Sequence, residues 1–263
     1  MRVLLGARVL ARHRDRGFAY AWPTGRFFGA SLTTLWDFED LRVPAWFSRA
    51  LALRYTYRDE TLGWMQDAEG SRLWQIQTAH ALALPADCPS WSDELRALRP
   101  AAEVRERVLQ FHRRYLASAP YVGVMVRSHA VAHSETLLSS PLEWYERRMH
   151  EIRERSPHVV FFVSADTDEA FHRLASSVPG CVGFQGKGPY NSAQALVASV
   201  ADLYLLAASS HMLGAHYSSF PELAQRLAGD GLLLETSRSP TGPAQISVPE
   251  SPLRPHVRLA AAW

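Results

Sequence analysis

The chain has 263 residues, enough for one large domain or two smaller ones with buried cores. Hydrophobic residues make up 47% and charged residues 21% of it, which excludes a disordered or fibrous protein. The formal net charge of +2 is too small to indicate binding to nucleic acid or to an acidic membrane. Cys88 and Cys181 lie far apart without a C-x-x-C pattern, which argues against a disulfide framework. Lys187 is the only lysine, a bias towards arginine that is typical of a GC-rich bacterial genome.

The N-terminal part shows helical and irregular patterns. Residues 1–16 carry apolar side chains at helical spacing, so we predict an α-helix there. The charges of Arg8 and Arg12 make this segment unsuitable as a signal peptide or a membrane span, so we expect a cytoplasmic protein. Residues 18–23 predict a short buried strand that a proline ends. Residues 25–77 are rich in aromatic side chains without long periodic runs, which predicts short helices and irregular loops.

Beyond an amphipathic helix predicted at about 101–116, apolar strand runs alternate with helical patterns. β-Branched and aromatic runs at 121–126 and 159–165 are typical of parallel strands covered on both faces. We expect a helix at 141–155 between them, capped by Ser139 or Ser140. Further strands are expected at 180–186 and 211–216, and further helices at 193–209 and 220–228.

This alternation predicts an α/β fold with a doubly wound parallel sheet in the C-terminal half. We therefore place the domain boundary near residue 118, with one domain over residues 1–118 and a second over residues 119–263.

Arg127 directly follows the apolar run at 121–126. In open parallel sheets, ligands collect beyond the carboxyl ends of the strands. A guanidinium at such an end can bind a phosphate through two hydrogen bonds and stabilise its charge. The alternative is an ordinary surface arginine at the end of a strand.

Two histidines and a glutamate follow, His129, His133 and Glu135. Histidines four residues apart on a helix can share a metal ion. However, Ala130 occupies the position of the glutamate in H-E-x-x-H, and we expect a loop rather than a helix after the strand. We therefore predict no metal site, with a zinc hydrolase as a remaining alternative. Glu135 is a separate candidate for a general base.

Three further polar features lie on predicted elements. Asp166 ends the strand at 159–165, where it can bind a sugar or loop amides, or cap the next helix. Asp202 lies among apolar helix residues, so it needs an internal partner such as an arginine, or it contacts a base edge. Ser218 and Ser219 precede a helix, where their hydroxyls and the free amides can bind phosphate or only cap the helix.

These features follow the order of motifs in a known superfamily. The line Gly123-Val124-Met125-Val126-Arg127-Ser128 resembles the G-V-H-[IV]-R-R motif of GDP-fucose-dependent fucosyltransferases. That superfamily includes α1,6-fucosyltransferases, nodulation-type bacterial enzymes and protein O-fucosyltransferases. Residues 141–145 resemble its P-x-E-x-Y element, residues 163–166 its strand ending in A-T-D-D, and residues 202–207 its D-[IL]-x-x-L-[SA] helix. Residues 216–219 resemble its T-F-S-S element, and residues 20–37 resemble the W-P strand of its bacterial members.

The resemblance implies a GT-B-like fold of two Rossmann-like halves, with acceptor binding in residues 1–118 and nucleotide-sugar binding in residues 119–263. It implies an inverting, metal-independent transfer of fucose from GDP-fucose to a hydroxyl of a glycan, peptide or small-molecule acceptor, without a further cofactor. Arg127 and Glu135 are the implied catalytic residues. The implied donor-binding residues are Asp166, Tyr190, Asn191, Asp202, Ser218 and Ser219.

The sequence also departs from the superfamily pattern. Met125 replaces the motif's histidine, Ser128 replaces its second arginine, and Ala130-Val131 replace a D-K pair. The glycine-rich loop expected before the first helix is missing, so we expect a first domain that is shortened at its start. These departures favour an alternative function, a non-catalytic nucleotide- or sugar-binding module with the same fold.

Overall fold

The computed structural model describes residues 1–25, 28–118, 121–129, 133–241, 249 and 251–257. The chain divides into two compact units, Met1–Arg99 and Pro100–Trp263. No helix in these described stretches has the length and hydropathy that a membrane crossing requires.

The first unit is built from short elements. Its helices are α1 (Arg2–His13), α2 (Leu32–Leu35), α3 (Ala45–Ala52) and α4 (Trp91–Ala97), and its strands are β1 (Ala19–Ala21), β2 (Leu41–Val43), β3 (Tyr57–Arg58) and β4 (Gln75–Ile76). The strands form two separate parallel pairs, β1 with β2 and β3 with β4. The predicted first helix is confirmed, and a strand follows it, but only Tyr20 of that strand is buried. The aromatic region contains short helices, as predicted, and also the short strands β2, β3 and β4.

The second unit contains a five-stranded sheet in the order β7-β6-β5-β8-β9, and all of its strand pairs are parallel. Its strands are β5 (Tyr121–Val126), β6 (Val160–Ala165), β7 (Cys181–Val182), β8 (His211–Leu213) and β9 (Leu233–Glu235). Its helices are α5 (Ala102–Phe111), α6 (Ser134–Ser139), α7 (Leu142–Arg155), α8 (Asp168–Ser177), α9 (Ala193–Ala208) and α10 (Ser219–Ala228). The predicted α/β fold class is confirmed.

Helices cover both faces of this sheet, which explains why β5 and β6 are apolar along their length. On one face, Tyr145 of α7 and Leu174 of α8 pack against Val124 and Val163. On the other face lies α9, against which α5 and α10 pack. The close approach of α9 depends on Gly123, where an added Cβ would lie 2.8 Å from the Ser209 hydroxyl.

The direction of the crossovers reverses at β5. The chain runs outward from β5 to β6 and β7, and then returns through α9 to β8 and β9 on the other side of β5. The carboxyl ends of β5 and β8 therefore border the topological switch point, where open parallel sheets bind their ligands.

The division between the units lies upstream of the boundary expected near residue 118. Helix α5 packs against α9 of the second unit. At its end, the Phe111 ring contacts those of Phe162 and Phe184, with centroid distances of 5.4 and 4.4 Å. These contacts place α5 with the five-stranded sheet.

The cap predicted for α7 was wrong. Pro141 is the N-cap of α7, without a side-chain hydrogen bond. The Ser139 hydroxyl instead donates to Glu135 at 2.7 Å, and the Ser140 hydroxyl accepts the His216 N–H at 2.8 Å. Ser140 thus holds together the segments that follow β5 and β8, whereas Ser139 bonds within α6.

Candidate functional site

Arg127 is the first residue after β5, beside the switch point. Its Nη1 atom lies 3.5 Å from Oδ2 of Asp166, which follows β6. Its guanidinium carbon lies 5.9 Å from the ring centre of Phe220, in the first turn of α10. The Arg127 side chain remains 31% exposed. The guanidinium is thus held between two strand ends and a helix start, with access to a ligand.

Asp166 organises the loop after β5. Its Oδ1 atom accepts the N–H groups of Ser128 and His129 at 2.8 and 3.2 Å, and the Ser128 hydroxyl at 3.1 Å. Thr167, rather than Asp166, caps α8 by accepting the Ala170 N–H. The cap alternative for Asp166 was therefore wrong, whereas its predicted bonds to loop amides are present.

Glu135 lies in the first turn of α6, which begins at Ser134 with His133 as its N-cap. His129 and His133 themselves lie outside the helix. Its Oε1 atom accepts a hydrogen bond from Ser139 at 2.7 Å, and its backbone N–H donates to Nδ1 of His133 at 3.2 Å. Its Oε2 atom has no donor among the residues that the structure describes. This oxygen can therefore accept a proton or a hydrogen bond from a ligand. Residues 130–132, which include Ala130, lie outside the described residues.

The segment between β8 and α10 is fixed against α6. The carbonyl oxygen of Tyr217 accepts a hydrogen bond from Thr136 at 3.1 Å. Tyr217 itself has a left-handed φ of 59°, a conformation that residues with a side chain rarely adopt outside constrained sites. This strained turn sets where α10 begins.

Ser218 is the N-cap residue of α10, but its hydroxyl forms no cap hydrogen bond. Ser219 is the first residue of this ten-residue helix. Within the described part of the chain, neither hydroxyl has a side-chain or backbone partner. The start of α10 therefore offers hydroxyls, amides and the positive end of the helix dipole to an anion.

Asp202 is 2% exposed and forms a buried ion pair. Its Oδ2 atom accepts hydrogen bonds from Ser164 at 2.9 Å and from Lys187 at 2.6 Å. Burial raises the pKa of Asp202, against the opposing effect of the Lys187 ammonium. The expected internal partner is therefore present, but it is a lysine and not an arginine. Oδ1 is buried and accepts no hydrogen bond from the described residues.

Lys187 was missed as a site residue in the sequence. Its ammonium also donates to the carbonyl oxygen of Ala165, the last residue of β6, at 2.9 Å. Lys187 thus brings a second cation to the sheet edge that carries Arg127. The available signals were its status as the only lysine and its position between two glycines, Gly186 and Gly188. Both glycines have left-handed φ values, 58° and 89°.

Tyr190 and Asn191 lie in the loop before α9. The Tyr190 ring stacks on His129, with centroids 5.1 Å apart and an interplanar angle of 19°. Tyr190 is nevertheless 56% exposed, and Asn191 has a left-handed φ of 60°. The stacking brings this loop to the loop after β5, so an aromatic surface lies beside the other candidate residues.

The geometry does not support a zinc site at His129, His133 and Glu135. Among the described residues, one group of potential metal ligands has its ligand atoms within 4.8 Å of one another. It consists of His13, Asp87 and Cys88, in the first unit.

Comparisons with known proteins identify the fold. No family model matches the sequence, and no curated protein matches it by sequence. The crystal structure of fucosyltransferase NodZ from Bradyrhizobium is similar with a TM-score of 0.57 and 12% identity, over 84% of this chain and 86% of that chain. NodZ alpha-1,6-fucosyltransferase soaked with GDP-fucose gives a TM-score of 0.54 and 14% identity, over 85% and 86% of the two chains. POFUT1 in complex with GDP gives a TM-score of 0.55 and 12% identity, over 88% of this chain and 92% of that chain. The chain therefore has the GT-B-type fold of these fucosyltransferases, as the motif resemblance predicted.

Proposed function

We propose that this chain is a glycosyltransferase that transfers fucose from GDP-fucose to an acceptor hydroxyl. The observation that carries the proposal is the position of Arg127, between the ends of β5 and β6 and the open start of α10. Solved structures with this fold include one soaked with GDP-fucose and one in complex with GDP. In this proposal the second unit binds the donor and the first unit binds the acceptor.

Arg127, Ser218 and Ser219 would hold the diphosphate. When the bond between the anomeric carbon and the β-phosphate oxygen breaks, its electron pair stays with the departing GDP. A preorganised guanidinium stabilises this growing negative charge more strongly in the transition state than in the ground state. The α10 amides and serine hydroxyls add neutral donors to the same group. In this proposal Arg127 and the donors of α10 stabilise the diphosphate without a metal ion.

Glu135 would act as the general base. Its Oε2 atom takes the proton of the acceptor hydroxyl while the acceptor oxygen bonds to the anomeric carbon, on the face opposite to the departing diphosphate. The configuration at that carbon is therefore inverted. The hydrogen bond from Ser139 to Oε1 fixes the carboxylate and leaves Oε2 for the substrate.

Asp202, Tyr190 and Asn191 remain our candidates for binding the nucleotide base. The Oδ1 atom of Asp202 is the carboxylate oxygen that an N–H of guanine would use, since Lys187 and Ser164 occupy Oδ2. The exposed Tyr190 ring supplies a stacking surface. Asp166 would act on the donor through Arg127, because loop amides occupy its Oδ1 atom.

A second candidate function is a binding module without catalysis. Two residues favour this function. Met125 is only 3% exposed, and the Ser128 hydroxyl is hydrogen-bonded to Asp166 and Thr167. Neither side chain carries a charged group that could bind a nucleotide. Calorimetric titration with GDP, followed by assays of donor turnover with an acceptor panel, separates the two. Binding with turnover supports the transferase, binding without turnover supports the module, and the absence of GDP binding contradicts both the transferase and a nucleotide-binding module.

A further inference from the structure

Three side chains of metal-binding types converge at the end of helix α1. His13 is the last residue of this helix, and Asp87 and Cys88 lie in the segment that precedes α4. One ligand atom from each of the three lies within 4.8 Å of the others. Imidazole nitrogen, thiolate sulfur and carboxylate oxygen are the donor atoms that bind zinc in proteins. The cluster lies wholly within the first unit and contains none of the candidate donor-binding residues.

The packing of α1 fixes the position of His13. Leu5 and Leu10 are fully buried, which holds the helix in the core of the first unit. The Nε2 atom of His13 lies 3.4 Å from Oδ2 of Asp87. Two ligand atoms at about 2.0–2.2 Å from a tetrahedral zinc ion are themselves about 3.3–3.6 Å apart. The imidazole and the carboxylate therefore already have the separation that a shared zinc ion requires.

The segment that carries Asp87 and Cys88 is held against α1. The Cys88 N–H donates to the carbonyl oxygen of Pro85 at 3.0 Å, which closes a turn around Asp87. Leu82 of the same segment is buried and approaches α1 so closely that an added Cβ at Gly6 would lie 3.3 Å from its side chain. The ligand atoms from the two segments are thus brought together by the backbone and the core, and not only by the contact between their side chains.

The charges at this end of α1 suit a bound cation. The carboxyl end of a helix carries the negative end of the helix dipole. The neighbouring cation Arg12 is paired with Glu94 at 2.7 Å, so its charge is compensated. Asp87 contributes a negative charge that is 73% exposed, and Cys88 is a free thiol. A zinc ion would therefore meet a carboxylate, a thiol and the dipole of the helix in one place.

We propose that His13, Asp87 and Cys88 bind one zinc ion, which fastens the end of α1 to the segment before α4. Nε2 of His13, a carboxylate oxygen of Asp87 and Sγ of Cys88 are three ligands, and a water molecule is the fourth. The Cys88 thiol loses its proton to solvent as the zinc–sulfur bond forms. Because the ligands meet only in the folded chain, zinc stabilises the first unit. The ion takes no part in the proposed sugar transfer.

Calorimetric titration of the full, metal-free chain with Zn²⁺ tests the site, and we expect one ion per chain. Cys88→Ser and His13→Gln should each raise the Kd for zinc at least about tenfold. The matched controls Cys181→Ser and His80→Gln change the same residue types outside the cluster and should bind zinc like the unaltered protein. Zinc at about 100 times its Kd should raise the Tm by about 5 °C or more. Mg²⁺, which prefers oxygen ligands, should not raise it.

Two further measurements separate loss of a ligand from loss of the fold. Asp87→Asn changes an exposed side chain, so it should weaken zinc binding while the metal-free Tm stays unchanged. Co²⁺ in place of zinc should give a thiolate-to-cobalt charge-transfer absorption that Cys88→Ser loses and Cys181→Ser keeps. The proposal is overturned if the chain binds no zinc, or if Cys88→Ser and His13→Gln bind it as tightly as the unaltered protein. One ion per two chains would assign the metal to a contact between copies and would also overturn it.

Discussion

Arg127 and Asp166 form an ion pair across the carboxyl ends of two neighbouring strands, with 3.5 Å between Nη1 and Oδ2. The second oxygen of the same carboxylate holds the amides of Ser128 and His129. One half-buried carboxylate therefore fixes both the backbone and the charged side chain of the loop after β5. In the proposed function, this arrangement gives Asp166 a positioning role in donor binding.

The first prediction concerns this positioning. Asp166→Ala removes the anchor of the loop and the partner of Arg127, so we expect the Kd for GDP to rise by about tenfold or more. That factor corresponds to the loss of one charged hydrogen bond, about 1.5 kcal/mol. Calorimetric titration measures it. Asp168→Ala, at an exposed carboxylate in the first turn of α8, is the matched control. Equal affinities for both variants would remove Asp166 from the site.

The second prediction separates catalysis from binding. Glu135→Gln keeps the shape of the side chain and its bond from Ser139 but cannot take a proton. We expect kcat to fall by about 10²–10⁴, with the Kd for GDP unchanged. Steady-state kinetics and titration check the two quantities, with Glu154→Gln on exposed α7 surface as control. An undiminished kcat would assign the general base to another residue.

The third prediction concerns the buried pair of Lys187 and Asp202. Lys187→Met leaves the Asp202 carboxylate buried without its cation, which should lower the free energy of unfolding by about 3 kcal/mol. The double variant with Asp202→Asn should recover part of this loss, because the uncompensated charge is then absent. Urea unfolding measures the free energy of unfolding of the unaltered protein, the single variant and the double variant. If the double variant is no more stable than Lys187→Met, the cost does not arise from the unpaired charge.

The fourth prediction is a pH dependence of stability at Glu235, which is 2% exposed. Burial acts to raise its pKa, but hydrogen bonds from His211 and Arg148 outweigh burial and lower it. The ionised carboxylate therefore stabilises the fold above its unfolded-state pKa of about 4.5, and this contribution is lost as the pH falls through the lower folded-state value.

Glu235→Gln should be less stable than the unaltered protein at neutral pH but should lose stability less steeply between about pH 5 and pH 3. Thermal unfolding across this range shows the difference in slope. The exposed Glu169→Gln variant should follow the unaltered protein. Parallel curves for Glu235→Gln and the unaltered protein would contradict the lowered pKa.

The strongly patterned parts of the fold were predictable from the sequence. β5 and β6 are apolar because both faces of the sheet are covered, so their uninterrupted runs indicated parallel strands. The strand at Leu233–Glu235 was missed, since three residues at a sheet edge carry almost no pattern. Its last residue, Glu235, belongs to a network with His211 and Arg148, which no local pattern indicates.

The candidate site was predictable only in part. Strand ends could be located, so Arg127 and Asp166 could be placed at one edge of the sheet. The partner of Asp202 could not be predicted, because Lys187 lies 15 residues away along the chain. It lies in a loop whose path depends on the glycines on either side of Lys187. The cap of α7 was misassigned because two serines before a proline give the same sequence pattern whether they cap the helix or form other hydrogen bonds.

In the proposed reaction, Arg127 stabilises the departing diphosphate of a nucleotide sugar. The most direct measurement compares turnover of GDP-fucose by the unaltered protein, Arg127→Ala and Arg155→Ala, the last at an exposed position in the last turn of α7. We expect Arg127→Ala to lower kcat by about 10²–10³, while Arg155→Ala keeps the original rate. Turnover by Arg127→Ala at the rate of the unaltered protein would contradict the proposed site.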